Sequence, residues 1–232
     1  MQQAQALAQQ LNAEGYQAST LPLLEIQPIE LSSPFYAANT LIFVSANAAI
    51  FGLNQIEAAA VDLANTRLLA IGPATQTEIA KHGFVADAAE SGFRSEELLD
   101  KLKSEGQVSP EFSLVCGEGG REFLEQGLRE MGAQVNRLEV YRRISAEGVD
   151  SGLKELNQRD LPDLISLMNE ESLNIFENAI CRLGLEGWKN IPVVVSSSRI
   201  EKTAKDLGFI QVFCQTDPTE SALIEFLTQF SN

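Results

Sequence analysis

The stretch from about Leu41 to Leu102 returns from about Ile165 to Leu227, displaced by roughly 125 positions. Gly83-Phe84-Val85 falls on Gly208-Phe209-Ile210, Leu98-Leu99 on Leu223-Ile224, and Leu102 on Leu227. Upstream, Gly72-Pro73 falls on Ser197-Ser198, and Ser45 falls near Asn169 with one residue of slippage. A repeat of this length is a half-domain, since solenoid units recur every ~20–50 residues. Two similar units mean two similar domains, and the space between domains is a natural place for a large ligand.

Within each copy, apolar runs alternate with helical periods. Leu41-Ile42-Phe43-Val44 is apolar throughout, as in a strand buried on both faces of a parallel sheet. A helix over 48–60 follows, then a strand over 68–71, a helix opened by Gly72-Pro73-Ala74-Thr75 and closed at His82-Gly83, a short strand at Val85, and a helix from Ser95. Leu114-Val115-Cys116 reads as a strand, and Gly119-Gly120-Arg121 opens a helix to Met131. The pattern restarts with strands near 164–167, 193–195 and 210–213 and helices over 171–182, 199–207 and 220–230. Such alternation predicts an α/β fold with parallel sheets and helices on both faces.

A second repeat lies in the N-terminal helix over 2–14, which Gly15 stops and a strand over 16–20 follows. Gly15 matches Gly132 at an offset of roughly 117, with Leu7 on Leu124 and Leu11 on Leu128. The same offset places the duplicate of the 114–116 strand before residue 1. A strand trimmed from the numbered chain fits better than a short sheet, because a helix without its central strand leaves its apolar face exposed. The offsets predict an inserted domain over 32–136 and a discontinuous one built from 1–21 and 145–232. The two crossings, 22–31 and 137–144, are both extended and are expected to pair as a two-stranded antiparallel ladder.

Bulk composition narrows the function classes. Thirty-two acids against 17 bases give a net charge of −15, which argues against nucleic acid and anionic membranes as partners. No apolar run approaches the length of a membrane span. Met1-Gln2-Gln3-Ala4-Gln5 carries no secretory pattern, so a cytoplasmic location is expected. Cys116, Cys181 and Cys214 are scattered, without metal-ligand spacing, and fit reduced thiols. No metal site is expected.

In open parallel sheets, ligands bind outside the carboxyl ends of strands. Five turns stand there: Ser45-Ala46-Asn47, Gly72-Pro73-Ala74-Thr75, Gly117 to Arg121 with Gly119 and Gly120, Met168-Asn169-Glu170, and Ser197-Ser198-Arg199. Each precedes a helix whose free N–H groups and positive dipole end can receive an anion. The same residues are also good N-caps, so each position reads either way. Arg121 could clamp a carboxylate, or be a solvated arginine beside a tight turn. The lone histidine, His82, has no nucleophile or acid pattern attached to it. Tyr141 stands in the second crossing with Arg137, Arg142 and Arg143 around it, the densest basic patch in the chain. Its phenol could donate a proton into a cleft, or its ring could simply pack at the junction with the hydroxyl in water.

Taken together, these segments resemble the uroporphyrinogen-III synthase family. The resemblance rests on Leu21-Pro22-Leu23-Leu24-Glu25-Ile26, Ile42-Phe43-Val44-Ser45-Ala46-Asn47-Ala48, Ala70-Ile71-Gly72-Pro73-Ala74-Thr75, Gly117-Glu118-Gly119-Gly120-Arg121-Glu122 and Val140-Tyr141-Arg142. It implies two flavodoxin-like, three-layer domains joined by a two-stranded β-ladder. It implies a lyase of heme and tetrapyrrole biosynthesis, monomeric and cofactor-independent, whose small-molecule substrate is a linear tetrapyrrole, hydroxymethylbilane. That substrate loses its terminal hydroxyl as water and closes with inversion of the last pyrrole ring. Tyr141 would assist departure of the hydroxyl. Thr75 and the turns at Ser45, Asn47, Gly72, Pro73, Gly119, Gly120, Arg121, Asn169, Ser197, Ser198 and Arg199 would hold substrate carboxylates. The chain departs from the family at Met168-Asn169 and Ser197-Ser198-Arg199, where Thr-Ser and a Gly-Pro-Thr-type turn are expected. The alternative of another class is a non-catalytic two-domain sensor or binding module for a small polyanion.

Overall fold

The computed structural model describes residues 2–31, 39–88, 95–106, 110–120, 122–215, 222 and 224–226. The chain begins with α1 (Gln2–Ala13) and β1 (Leu24–Pro28), followed by β2 (Thr40–Phe43), α2 (Ala46–Ala58), β3 (Arg67–Ala70), α3 (Pro73–Lys81) and α4 (Ser95–Glu105). Then come β4 (Glu111–Gly117), α5 (Phe123–Glu130), β5 (Gln134–Ser145), α6 (Val149–Asn157), β6 (Ile165–Ser166), α7 (Glu170–Arg182) and a 3-10 turn over Glu186–Asn190. The series ends with β7 (Val193–Val195), α8 (Ser198–Asp206) and β8 (Val212–Cys214). Ala222 and residues 224–226 are helical, and the rest of the expected 220–230 helix lies outside the described residues. The chain divides into two compact units, Met1–Glu25 with Ile144–Asn232, and Ile26–Arg143.

In the unit of Ile26–Arg143, the sheet order is β1-β5-β4-β2-β3. The β5–β4, β4–β2 and β2–β3 pairs are parallel. Alternation along the strands sorts the core into two layers. Leu41, Phe43, Leu68 and Ala70 pack with Ala48, Leu53, Ile56 and Ile79 of α2 and α3. Ile42, Leu69 and Leu114 pack on the opposite face with Leu98, Leu102, Leu124 and Leu128 of α4 and α5. Helices therefore cover both faces, which is why these strands are apolar throughout. Ile29 N–H donates to Val140 C=O and Ala146 N–H to Leu23 C=O, so β1 and β5 run antiparallel, at the edge of the five-stranded sheet.

The other unit carries a parallel sheet in the order β6-β7-β8. Val193 and Val195 pack with Leu173, Phe176 and Ile180 of α7 and with Ile200 and Ala204 of α8. The repeat is visible in helix endings, since Gly15, Gly83, Gly132 and Gly208 all hold φ between 81° and 94°. Only glycine adopts that backbone without strain.

Two expectations are corrected, and one helix was not expected. Residues 16–20 form no strand. Asn12 stands in for a neighbouring strand there: its amide donates to Ala18 C=O at 3.0 Å and accepts from Ala18 N–H at 2.8 Å. Val85 is 90% exposed, and the ladder contact falls two residues later, where Asp87 bridges to Leu69. The sequence reading also assigned nothing to 149–157, where α6 buries Val149 and Leu153. Gly152 is what admits it, because a Cβ there would meet Leu21 at 2.4 Å.

Candidate active site

The register of the larger sheet brings three strand ends side by side. Phe43 lies opposite both Ala70 and Val115. The residues just beyond, Ser45, Gly72 and Gly117, therefore stand in neighbouring positions along one edge, with strands ~4.8 Å apart. Behind these ends begin α2, α3 and α5, so three helix N-termini face the same edge.

Tyr141 reaches this edge through an irregularity. β4 and β5 pair regularly from Glu111 opposite Gln134 to Cys116 opposite Glu139, but Gly117 then lies opposite Tyr141. Val140 is the extra residue of a β-bulge, a device that re-aims a side chain. As a result Val140 and Tyr141, though consecutive, are both buried, at 0% and 2% exposure. The Tyr141 ring lies over Gly117, where a Cβ would sit 2.6 Å from Cζ. Phe51 of α2 packs 5.9 Å away between ring centroids.

The Tyr141 ring packs within its own unit, against Gly117 and Phe51, and its hydroxyl is hydrogen-bonded. The oxygen lies 3.2 Å from Ser45 Oγ and accepts from Arg143 Nη2 at 3.1 Å. The guanidinium carbon of Arg143 also lies 5.4 Å from the ring centroid. The other two arginines turn elsewhere. Arg137 bonds Glu125 and Glu139, and Arg142 donates to Gln27 Oε1 at 3.0 Å.

The turns divide between capping and availability. Ser45 Oγ accepts from Ala48 N–H at 3.1 Å, Asn169 Oδ1 from Ser172 N–H at 2.8 Å, and Ser197 Oγ from Ile200 N–H at 3.4 Å. All three are N-caps. Thr75 is 2% exposed and donates its hydroxyl to Ile71 C=O at 2.7 Å, so its side-chain proton is already engaged. Gly72 holds φ 84° ahead of Pro73 and gives α3 no side-chain cap, leaving the first-turn N–H groups of Ala74 and Thr75 for another acceptor. Asn47 is half-buried in the first turn of α2. Gly119 holds φ 68°, and Gly120 N–H donates to Gly117 C=O at 3.3 Å. Arg121 lies outside the described residues.

In the smaller sheet's unit, Ser198 is exposed at the start of α8, and Arg199 is paired with Glu170 at 2.6 Å. That pairing offsets the positive charge the sequence placed there. In the unit of Ile26–Arg143, His82 Nδ1 lies 2.8 Å from Glu57 Oε1. Gly117 and Arg143 were expected only as parts of a glycine-rich turn and a basic patch, without their contacts to the Tyr141 ring and hydroxyl. A glycine ending a strand is a weak signal of close approach, and the bulge that needs it has none.

A family model described as uroporphyrinogen-III synthase HemD matches residues 5–225. The chain belongs to the uroporphyrinogen-III synthase family. A crystal structure of a mutant uroporphyrinogen III synthase from the extremely thermophilic bacterium Thermus thermophilus covers 100% of the chain and 96% of its own, with TM-score 0.63 and 16% identity. The uroporphyrinogen-III synthetase of Helicobacter pylori covers 90% of the chain and 92% of its own, with TM-score 0.67 and 19% identity. At these identities the likeness is one of fold. The parallel α/β architecture is shared with both.

Proposed function

We infer that this protein is a uroporphyrinogen-III synthase, a cyclising hydro-lyase that converts hydroxymethylbilane to uroporphyrinogen III with loss of water. The observation that carries the reading is the family match across residues 5–225. The site is consistent with its chemistry. A pyrrole nitrogen can expel a neighbouring hydroxyl with its own electron pair, so the protein need supply only a weakly acidic proton, and the phenol of Tyr141 is our candidate source.

The larger task is conformational. Proximity and orientation contribute ~7–11 kcal/mol to well-placed intramolecular reactions. A substrate carrying many carboxylates needs many donors, yet the chain is acidic overall, at −15. Helix N-termini meet that need without adding basic residues. In this reading the N–H groups at Ala74 and Thr75 and the turns at Ser45–Asn47 and Gly119–Arg121 hold carboxylates in the unit of Ile26–Arg143. We place the enzyme in the cytoplasm as a monomer that uses no cofactor or metal. Among the described residues no helix is long and apolar enough to cross a membrane.

No observation favours the non-catalytic binding module. The experiment that separates the two follows the disappearance of freshly prepared hydroxymethylbilane. Consumption well above the spontaneous rate, proportional to protein, is expected. A rate equal to that of the buffer alone contradicts the synthase reading.

A further inference from the structure

The hydrogen bonds around Tyr141 have a direction. Arg143 is a donor only, so the phenol oxygen takes that bond as acceptor. Among the described residues the phenol's other partner is Ser45 Oγ, 3.2 Å away. Ser45 Oγ already accepts from Ala48 N–H, and its residue is the more exposed of the two. Tyr141 is 2% exposed, packed under Phe51 and over Gly117, whereas Ser45 is half-buried at the end of β2. A proton leaving the phenol therefore has its way out through the serine.

We propose that Ser45, not Tyr141, is the group that meets the departing hydroxyl, and that Tyr141 is a positioning residue that recharges it. This rests on the synthase reading. In the step, the serine O–H bond breaks as its proton binds the substrate hydroxyl oxygen. The carbon–oxygen bond breaks, its electron pair leaving with the water, and the adjacent pyrrole nitrogen donates its lone pair to the carbon. The phenol proton passes to the serine oxygen, and the phenolate remains against the Arg143 guanidinium. When the closed ring regains aromaticity it sheds one proton, which returns through Ser45 to the phenolate. No proton is gained or lost over the cycle.

The test is single-turnover consumption of hydroxymethylbilane by the full chain and by Ser45→Ala, Ser45→Thr, Tyr141→Phe and the Ser45→Ala/Tyr141→Phe double variant, with folding checked by circular dichroism. Each single removal is expected to slow the step by about 10²-fold, the low end for a positioned acid. The double variant should be no slower than the worse single, and Ser45→Thr, which keeps hydroxyl and cap, should recover most of the rate. In mixed light and heavy water, the wild-type rate should curve with deuterium content, as two moving protons require. Tyr141→Phe slow with Ser45→Ala at wild-type speed overturns the relay, as does a double loss equal to the product of the singles. Should Ser45→Ala not fold, a linear isotope dependence in the wild type overturns it alone. Failure of the synthase reading looks different: the wild type itself would not accelerate consumption.

Discussion

Gly117 and Tyr141 are bound by a steric condition. The ring occupies the space where a side chain at 117 would begin, 2.6 Å from the missing Cβ. Gly117→Ala should destabilise the protein by about 1–3 kcal/mol, the usual range for overpacking. It should also slow turnover with the phenol chemically intact, because the hydroxyl must leave Ser45 and Arg143. Denaturant unfolding and single-turnover rates check the two effects separately. A variant with native stability and rate would mean the ring has room the geometry does not show. Cys116, one residue earlier, is buried, and burial pushes its thiol up to about 11 against the opposing pull of Arg137. At pH 8, Cys116 should resist alkylation by iodoacetamide in the native protein and react after unfolding, as read by mass spectrometry. Both residues show what pattern reading misses. Gly117 was legible as part of a glycine-rich turn, but its partner was not, because the bulge at Val140 shifts pairing by one residue without marking the sequence.

Between helices, the Glu177–Lys189 pair fastens α7 to the turn that follows it. Lys189 Nζ bonds Glu177 Oε1 at 2.8 Å and Leu207 C=O at 2.8 Å. The hydrogen bond from Lys189, aided by one from the Cys181 thiol, holds the Glu177 carboxyl below its ordinary 4.5. The same bond raises Lys189 above its ordinary 10.5. For the carboxylate, whose folded value is lowered, the stabilisation is present above 4.5 and is lost as pH falls through the folded value. For the raised lysine, it is present below 10.5 and lost as pH rises through its folded value. Melting temperature followed against pH should therefore fall less steeply on the acid side in Glu177→Gln than in wild type. Parallel curves would show that the pair is not linked to folding. Caps were the elements most legible beforehand. Ser45 and Asn169 read as N-caps from residue type and position, and both accept from the third residue onward. What stayed ambiguous was whether capping left anything for a ligand. Thr75 illustrates why: its hydroxyl turns back to Ile71 C=O, a choice that residue type alone does not dictate.

At the level of the molecule, the repeat carried most of the fold. Offsets of roughly 125 and 117 imply paired parallel units from the sequence, and the turns they align at Ser45 and Asn169 are caps in both. The strand expected over 16–20 was wrong because periodicity records which residues are apolar, not whether a neighbouring strand is there to pair with them. Asn12 satisfies Ala18 instead. In the proposed function, an acidic chain and turns that receive carboxylates are compatible because the donors are backbone groups, whose number is set by the fold and not by composition. The family's distinguishing product is the isomer with the last ring inverted, and spontaneous closure gives the uninverted one. The most direct measurement therefore adds the purified protein to freshly made hydroxymethylbilane and, after oxidation to porphyrins, separates the isomers. The account predicts that the type III isomer dominates in proportion to protein added. Type I alone, as in the protein-free control, would contradict it.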